Sequence, residues 1–444
     1  MSLSTTWRRG ILPALTGRTV LRRVLFSAFS TTAPALAAPK QGTKGKPQSK
    51  PMQRSHSKQK SSKPEGPKKS PYGPGERRLI RNRIILSNTN APSVELANLT
   101  SNTLGSPVPH AQVYGFPDTA VDRLRSLEAF RRDQSWKFFN RPATVVRAES
   151  LLVGERMLAV EAGEPTTNRF ILDGPGGAGK SVLLLQAMNW AVERGWLVIT
   201  VPNAQDLANG HTDYDFDSEL NRWSQREYCA TMLKRIAQGN AKLLLTTNLS
   251  QAYKIGRTME FSDTLSLHRF CELGARDPAV SYEVFKIFFQ EIMRPDFAVP
   301  VLFALDNFTQ LMRPSGYRDT EFKVIHALDL ALPALFMEFL RGEQKFARGM
   351  VVGATSSAAP KAEEWDIAKL GKKGKWPVYS KLDRARIEGA VKGVDIVPVN
   401  GMQPKEGRAL LEYCKGSGLM SEVSEITDTV LTERMTKLRG CRGS

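Results

Sequence analysis

Beyond residue 150, short unbroken apolar runs alternate with longer stretches in which apolar residues recur every three or four positions. The runs at 169–173, 195–202, 299–306, 349–357 and 393–399 are bounded by Gly, Pro or Asp and read as buried strands. Residues 182–191, most of 203–295, 321–345, 405–414 and 423–438 carry the helical period instead. Strands alternating with helices predict an α/β fold: a parallel sheet with both faces covered and its ligand edge at the strand C-termini.

The N-terminal part is patterned differently. Residues 84–150 regain apolar content, with helical spacing at 121–130, and predict an α-helical lead-in packed on the core. Residues 39–83 hold Lys, Ser, Pro, Gly and Gln with almost no large apolar side chain, so this stretch is expected to be disordered. Residues 1–38 carry Arg8, Arg9, Arg18, Arg22 and Arg23, many Ser and Thr and no acidic residue, the composition of a mitochondrial transit peptide. The organisation expected is therefore a transit segment (1–38), a basic tail (39–83), the lead-in (84–150), an α/β core (151–400) and a closing helical segment (401–444). No run is long and apolar enough for a membrane span, and a soluble mature protein is expected.

Charge sharpens this division. The chain of 444 residues has a net charge of +19, and 17 of those charges lie before residue 84, leaving +2 for everything after it. The tail thus suits counterion release at an RNA backbone, while the core is nearly neutral. Arg131, Arg132, Lys137 and Arg141 beside Trp136, Phe138 and Phe139 read either as a nucleic-acid patch or as a helix end with solvated charges. Cys229, Cys271, Cys414 and Cys441 are separated by 42, 143 and 27 positions, which offers neither a disulfide ladder nor a zinc knuckle and fits a reducing compartment. The five histidines are equally scattered.

The chemistry concentrates in one stretch. Gly174, Pro175, Gly176, Gly177, Ala178, Gly179, Lys180 and Ser181, followed by Val182, match the phosphate-binding loop pattern G-x-x-x-x-G-K-[ST], with an apolar strand before it and an apolar helix after it. Glycines let the backbone approach a ligand closely, and the helix start adds N–H donors and a positive dipole end. Lys180 would reach the β- and γ-phosphates, and Ser181 would place its hydroxyl on Mg²⁺. The run at 299–306 ends in Asp306, the pattern of a buried strand that delivers a second carboxylate to the metal. The next position holds Asn307, an amide that cannot act as a general base, so turnover is expected to be slow or absent. Thr355, Ser356 and Ser357 at the exit of 349–357 would either sense a γ-phosphate through water or cap the following turn. No Asn-Lys-x-Asp guanine signature is present, which leaves GTP or GDP and ATP open.

Together with the transit-like start, the segments 172–181, 196–203, 305–308, 317–319 and 351–356 resemble the phosphate-loop protein family of the mitochondrial small ribosomal subunit, also called the death-associated protein three family. The resemblance spans roughly residues 120–420. It implies a P-loop NTPase core similar to AAA+ proteins, lodged in the small subunit of the matrix ribosome against ribosomal RNA and neighbouring mitochondrial ribosomal proteins, with a purine nucleotide and Mg²⁺ in a mainly structural role. Asn307 departs from active AAA+ enzymes, and no arginine stands out as a finger for a ring neighbour. A working ATPase or GTPase, or a nucleotide-dependent apoptotic switch, remains the alternative.

Overall fold

The computed structural model describes residues 84–440 apart from 105–109, 133, 165, 257–258, 357–362, 378–380 and 421–424. The transit-like start, the basic tail and Ser357 lie outside the described residues. In the lead-in, β1 (Gln112–Gly115) and β2 (Ala143–Val146) pair antiparallel around helix Asp118–Ser126. The expected all-helical character is therefore met only in part. The helix ends at Ser126 because Glu128 turns into the left-handed region (φ 54°) and the Ala129 N–H bonds back to Leu124 O, which sends Phe130 into the core. There Phe116, Phe130 and Trp136 meet edge to face at 5.6–6.2 Å. Helix Ala148–Ala162 then runs through position 150.

The core opens with β3 (Arg169–Asp173), helix Lys180–Glu193 and β4 (Leu197–Val201), all close to the ranges the pattern predicts. The mainly helical stretch that follows also contains two small antiparallel pairs, β5 (Asp215–Asp217) with β6 (Arg222–Ser224) and β7 (Tyr253–Ile255) with β8 (Met259–Phe261). After helices Leu267–Arg276 and Pro278–Met293 comes β9 (Val301–Asp306). The helix expected over 321–345 begins only at Ala331. Before it, β10 (Pro314–Arg318) and β11 (Val324–His326) form a hairpin. Its turn is closed by the Asp319 side chain, which accepts from the N–H groups of Glu321 and Lys323; such local bonding competes with helix. β12 (Gly349–Ala354) and β13 (Asp395–Pro398) follow, then helices Pro404–Gly416 and Asp428–Gly440.

β13, β3, β12, β9 and β4 lie side by side in that order, all parallel. Successive strand residues face opposite ways, so each strand feeds two cores. Val301, Phe303 and Leu305 join Ile171, Ile199 and Val351 under helices Arg226–Gly239, Pro278–Met293 and Ala331–Arg341, whereas Leu302 and Ala304 join Phe170, Val198 and Val352 under helix Lys180–Glu193 and the lead-in. Burial on both faces explains why these strands read as unbroken apolar runs. Pro398, which has no N–H to donate, sits on the edge strand.

From β3 the chain crosses to β4 at one edge of the sheet, and from β12 it crosses to β13 at the other. These two neighbouring strands send their connections in opposite directions. A crevice opens outside their C-terminal ends, the position at which α/β sheets bind ligands.

Candidate functional site

The glycine loop leaves β3 into that crevice. Gly174 has to be glycine, because a Cβ there would overlap the backbone carbonyl of Val399 beyond β13. Gly177 and Gly179 take positive φ (69° and 91°), and Gly179, the N-cap of helix Lys180–Glu193, has no side chain to offer the first N–H groups of the helix. Those donors and the dipole end suit an anion. Pro175 and Gly177 are exposed, Gly176, Ser181 and Val182 half-buried, and Ala178 buried. Lys180 is buried, and its ammonium donates to the carbonyls of Gly174 and Pro175 at 2.8 Å each. The loop thus wraps its own cation.

Two buried networks hold the loop from behind. Arg147, 5% exposed, donates to Ala178 O (2.6 Å), Asn400 O (2.8 Å), Glu149 (3.0 Å) and Glu406 (3.4 Å). Glu406, fully buried on helix Pro404–Gly416, also accepts from the N–H of Gln403 and lies 3.2 Å from His110. On the other side Asp173, the last residue of β3, accepts from Thr355 (2.8 Å), Trp365 (3.0 Å) and Lys369 (3.2 Å). Burial by itself would raise the Asp173 carboxyl, but the hydrogen bonds from Trp365 and Thr355 and the Lys369 charge outweigh it and hold the group below its ordinary value.

Thr355 is therefore committed to neighbouring strands. Its hydroxyl bonds Asp173 and Leu172 O, tying β12 to β3. The carbonyl of Ser356 accepts from Thr309.

Asp306 ends β9 next to β12. Its Oδ1 accepts the N–H of Asn307 at 2.7 Å, and its Oδ2 meets the Arg131 guanidinium at 2.9 Å. Asn307 is left-handed (φ 61°), a conformation Asn tolerates, and its amide donates to Asn203 Oδ1 beyond β4. A carboxylate engaged by a guanidinium and a backbone N–H does not fit Mg²⁺, which demands near-octahedral oxygen ligands. Among the described residues no three His, Cys, Asp or Glu side chains converge on a metal position. The glycines at 174 and 179 are packed against Val399 O and the Arg147 guanidinium, so a side chain at either would press on the loop's own support.

Arg131, Arg147, Asn203 and Glu406 are the site residues that sequence reasoning missed or misread. Arg131 is neither a solvated helix end nor part of an exposed patch. Arg141, of the same cluster, donates to Asn98 and to Phe116 O. No local pattern marks Arg131, Arg147 or Asn203, since each acts on a partner more than thirty positions away, while Glu406 has a local sign in its capping box with Gln403 but none of its reach to Arg147.

Fold and site define a parallel α/β protein with a glycine-rich strand-to-helix loop at its switch point. Residues 144–442 match the family model described as mitochondrial ribosomal death-associated protein 3, and the chain belongs to that family of mitochondrial ribosomal proteins. It is similar to the small ribosomal subunit protein mS29 of Neurospora crassa, with 31% identity over 82% of this chain and 79% of the relative. The mS29 protein of Schizosaccharomyces pombe is 24% identical over 70% of this chain and 66% of the relative.

Proposed function

We propose that this chain is a structural protein of the mitochondrial small ribosomal subunit that holds a purine nucleoside di- or triphosphate on residues 174–182 as part of its fold and so supports translation. The observation that carries the nucleotide reading is the glycine loop itself, with Lys180 buried in it and the helix N-terminus beside it. Lys180 would exchange the loop carbonyls for the β- and γ-phosphates, and Ser181 would offer its hydroxyl to the same phosphates, directly or through a Mg²⁺ ion they carry. Asn307, held to Asn203, supplies no base to activate water, which favours retention of the nucleotide over turnover. The small-subunit assignment rests on the names of the two relatives, and contact with ribosomal RNA on the charge of residues 39–83.

The deciding experiment is to denature the purified protein and identify what it releases. A purine nucleotide near one per chain, absent from Lys180→Ala, is expected. Wild-type protein that releases none after purification with GTP, GDP or ATP present would overturn the nucleotide reading.

A further inference from the structure

The ion pair at the end of β9 is a mounted feature. Phe130 packs edge to face between Phe116 and Trp136, and the following Arg131 N–H donates to Gln134 Oε1 at 2.9 Å, which fixes where the guanidinium emerges. The Arg131 side chain is 25% exposed and that of Asp306 only 6%. Removing one partner of such a pair strands the other's charge out of water. Arg131, with Arg132, Asn203 and Asp206, lines a cleft of about 750 Å³, and its guanidinium reaches from that wall to Asp306 at the end of β9.

A carboxylate at this strand end would repel an incoming polyphosphate, and in metal-dependent sites a divalent ion removes that repulsion. We infer that Arg131 is the resident counter-charge of Asp306, so that nucleotide is held without a metal bond to Asp306. Arginine suits the role because its charge is permanent and its planar fork matches a carboxylate. This rests on the nucleotide reading above. It goes further by assigning Arg131 as a positioning residue and by making affinity for the nucleotide insensitive to removal of divalent ions.

The test is calorimetric titration of the full chain with GDP and with ADP, in Mg²⁺ and in excess EDTA. For the nucleotide that binds, wild-type affinity in the two buffers should agree within about threefold, well inside a tenfold step of about 1.4 kcal/mol. Arg131→Met leaves Asp306 uncompensated and should bind about tenfold or more weakly in EDTA, with Mg²⁺ restoring much of the loss. Arg131→Met/Asp306→Asn removes both charges and should again ignore Mg²⁺. A wild-type loss beyond about tenfold on chelation, with Arg131→Met no more sensitive, would overturn the inference. If wild type binds neither nucleotide in either buffer, the nucleotide reading fails, and melting of the nucleotide-free proteins in Mn²⁺ decides the pairing separately. Stabilisation of Arg131→Met alone supports it, and equal stabilisation of wild type and variant overturns it.

Discussion

At the scale of single residues, Lys180, Gly174 and Asp173 make separable contributions. Lys180→Ala removes the cation from the glycine loop. Because a ligand that binds only the folded state stabilises it by about 2.7 kcal/mol at a hundredfold excess over Kd, added nucleotide should raise the melting temperature of wild type and not of the variant. Gly174→Ala pushes a methyl group into Val399 O, and overpacking of this kind costs about 1–3 kcal/mol, readable as a lowered urea midpoint. Asp173 gives stability a pH dependence of known sign. Its folded carboxyl titrates below the ordinary value of 3.8, so the unfolded chain takes up its proton first as pH falls. The contribution is then complete above the unfolded value and disappears as pH drops through the lower folded one. Asp173→Asn should cost roughly 1–2 kcal/mol at neutral pH, the size of a charged hydrogen bond discounted for partial exposure, and the gap should close below about pH 4. Chemical denaturation of both proteins across that range checks it.

At the scale of elements, helix Pro404–Gly416 does more than close the chain. It carries Glu406 beneath the glycine loop, and Tyr413 stacks on Phe139 of the lead-in at 4.9 Å. Glu406→Ala removes one of the two carboxylates on the buried Arg147 guanidinium, leaving Glu149, and should destabilise by about 1–3 kcal/mol, whereas Glu406→Gln, which keeps an acceptor for Gln403 and Arg147, should lose less. Urea unfolding of the two variants distinguishes a charge network from simple packing. A comparable loss for both would show that the charge is what Glu406 supplies, and near-wild-type stability of Glu406→Gln would reduce it to a hydrogen-bond acceptor.

For the whole molecule, charge and fold occupy different stretches of chain. Between residues 39 and 83 the net charge is +12, against +2 for residues 84–444. If about half of those twelve charges meet phosphates, log affinity for RNA should fall against log salt with a slope of roughly −5, at about −0.9 per contact on a duplex. Deleting residues 39–83 from a chain that starts at residue 39 should weaken RNA binding and flatten that slope, with Lys180-dependent nucleotide release unchanged. Filter binding across a salt series reads the slope. Equal salt dependence with and without the segment would move the RNA surface to the core.

What the sequence determined by itself is whatever depends on near neighbours. A strand buried on both faces must be apolar throughout, so each of the five sheet strands is legible as a run, and a phosphate-binding loop needs its glycines and lysine at fixed spacing, so residues 174–181 are legible as a motif. Local pattern failed where a local competitor won, as at Asp319, whose side chain folds 321–345 into a hairpin turn before the helix starts. Only the tertiary structure decided strand order, and with it the crevice between β3 and β12. Only it could bring Arg131 to Asp306 across 175 positions and Glu406 to Arg147 across 259. Such pairs leave no periodic trace, because an ion pair constrains two points in space and nothing in the chain between them.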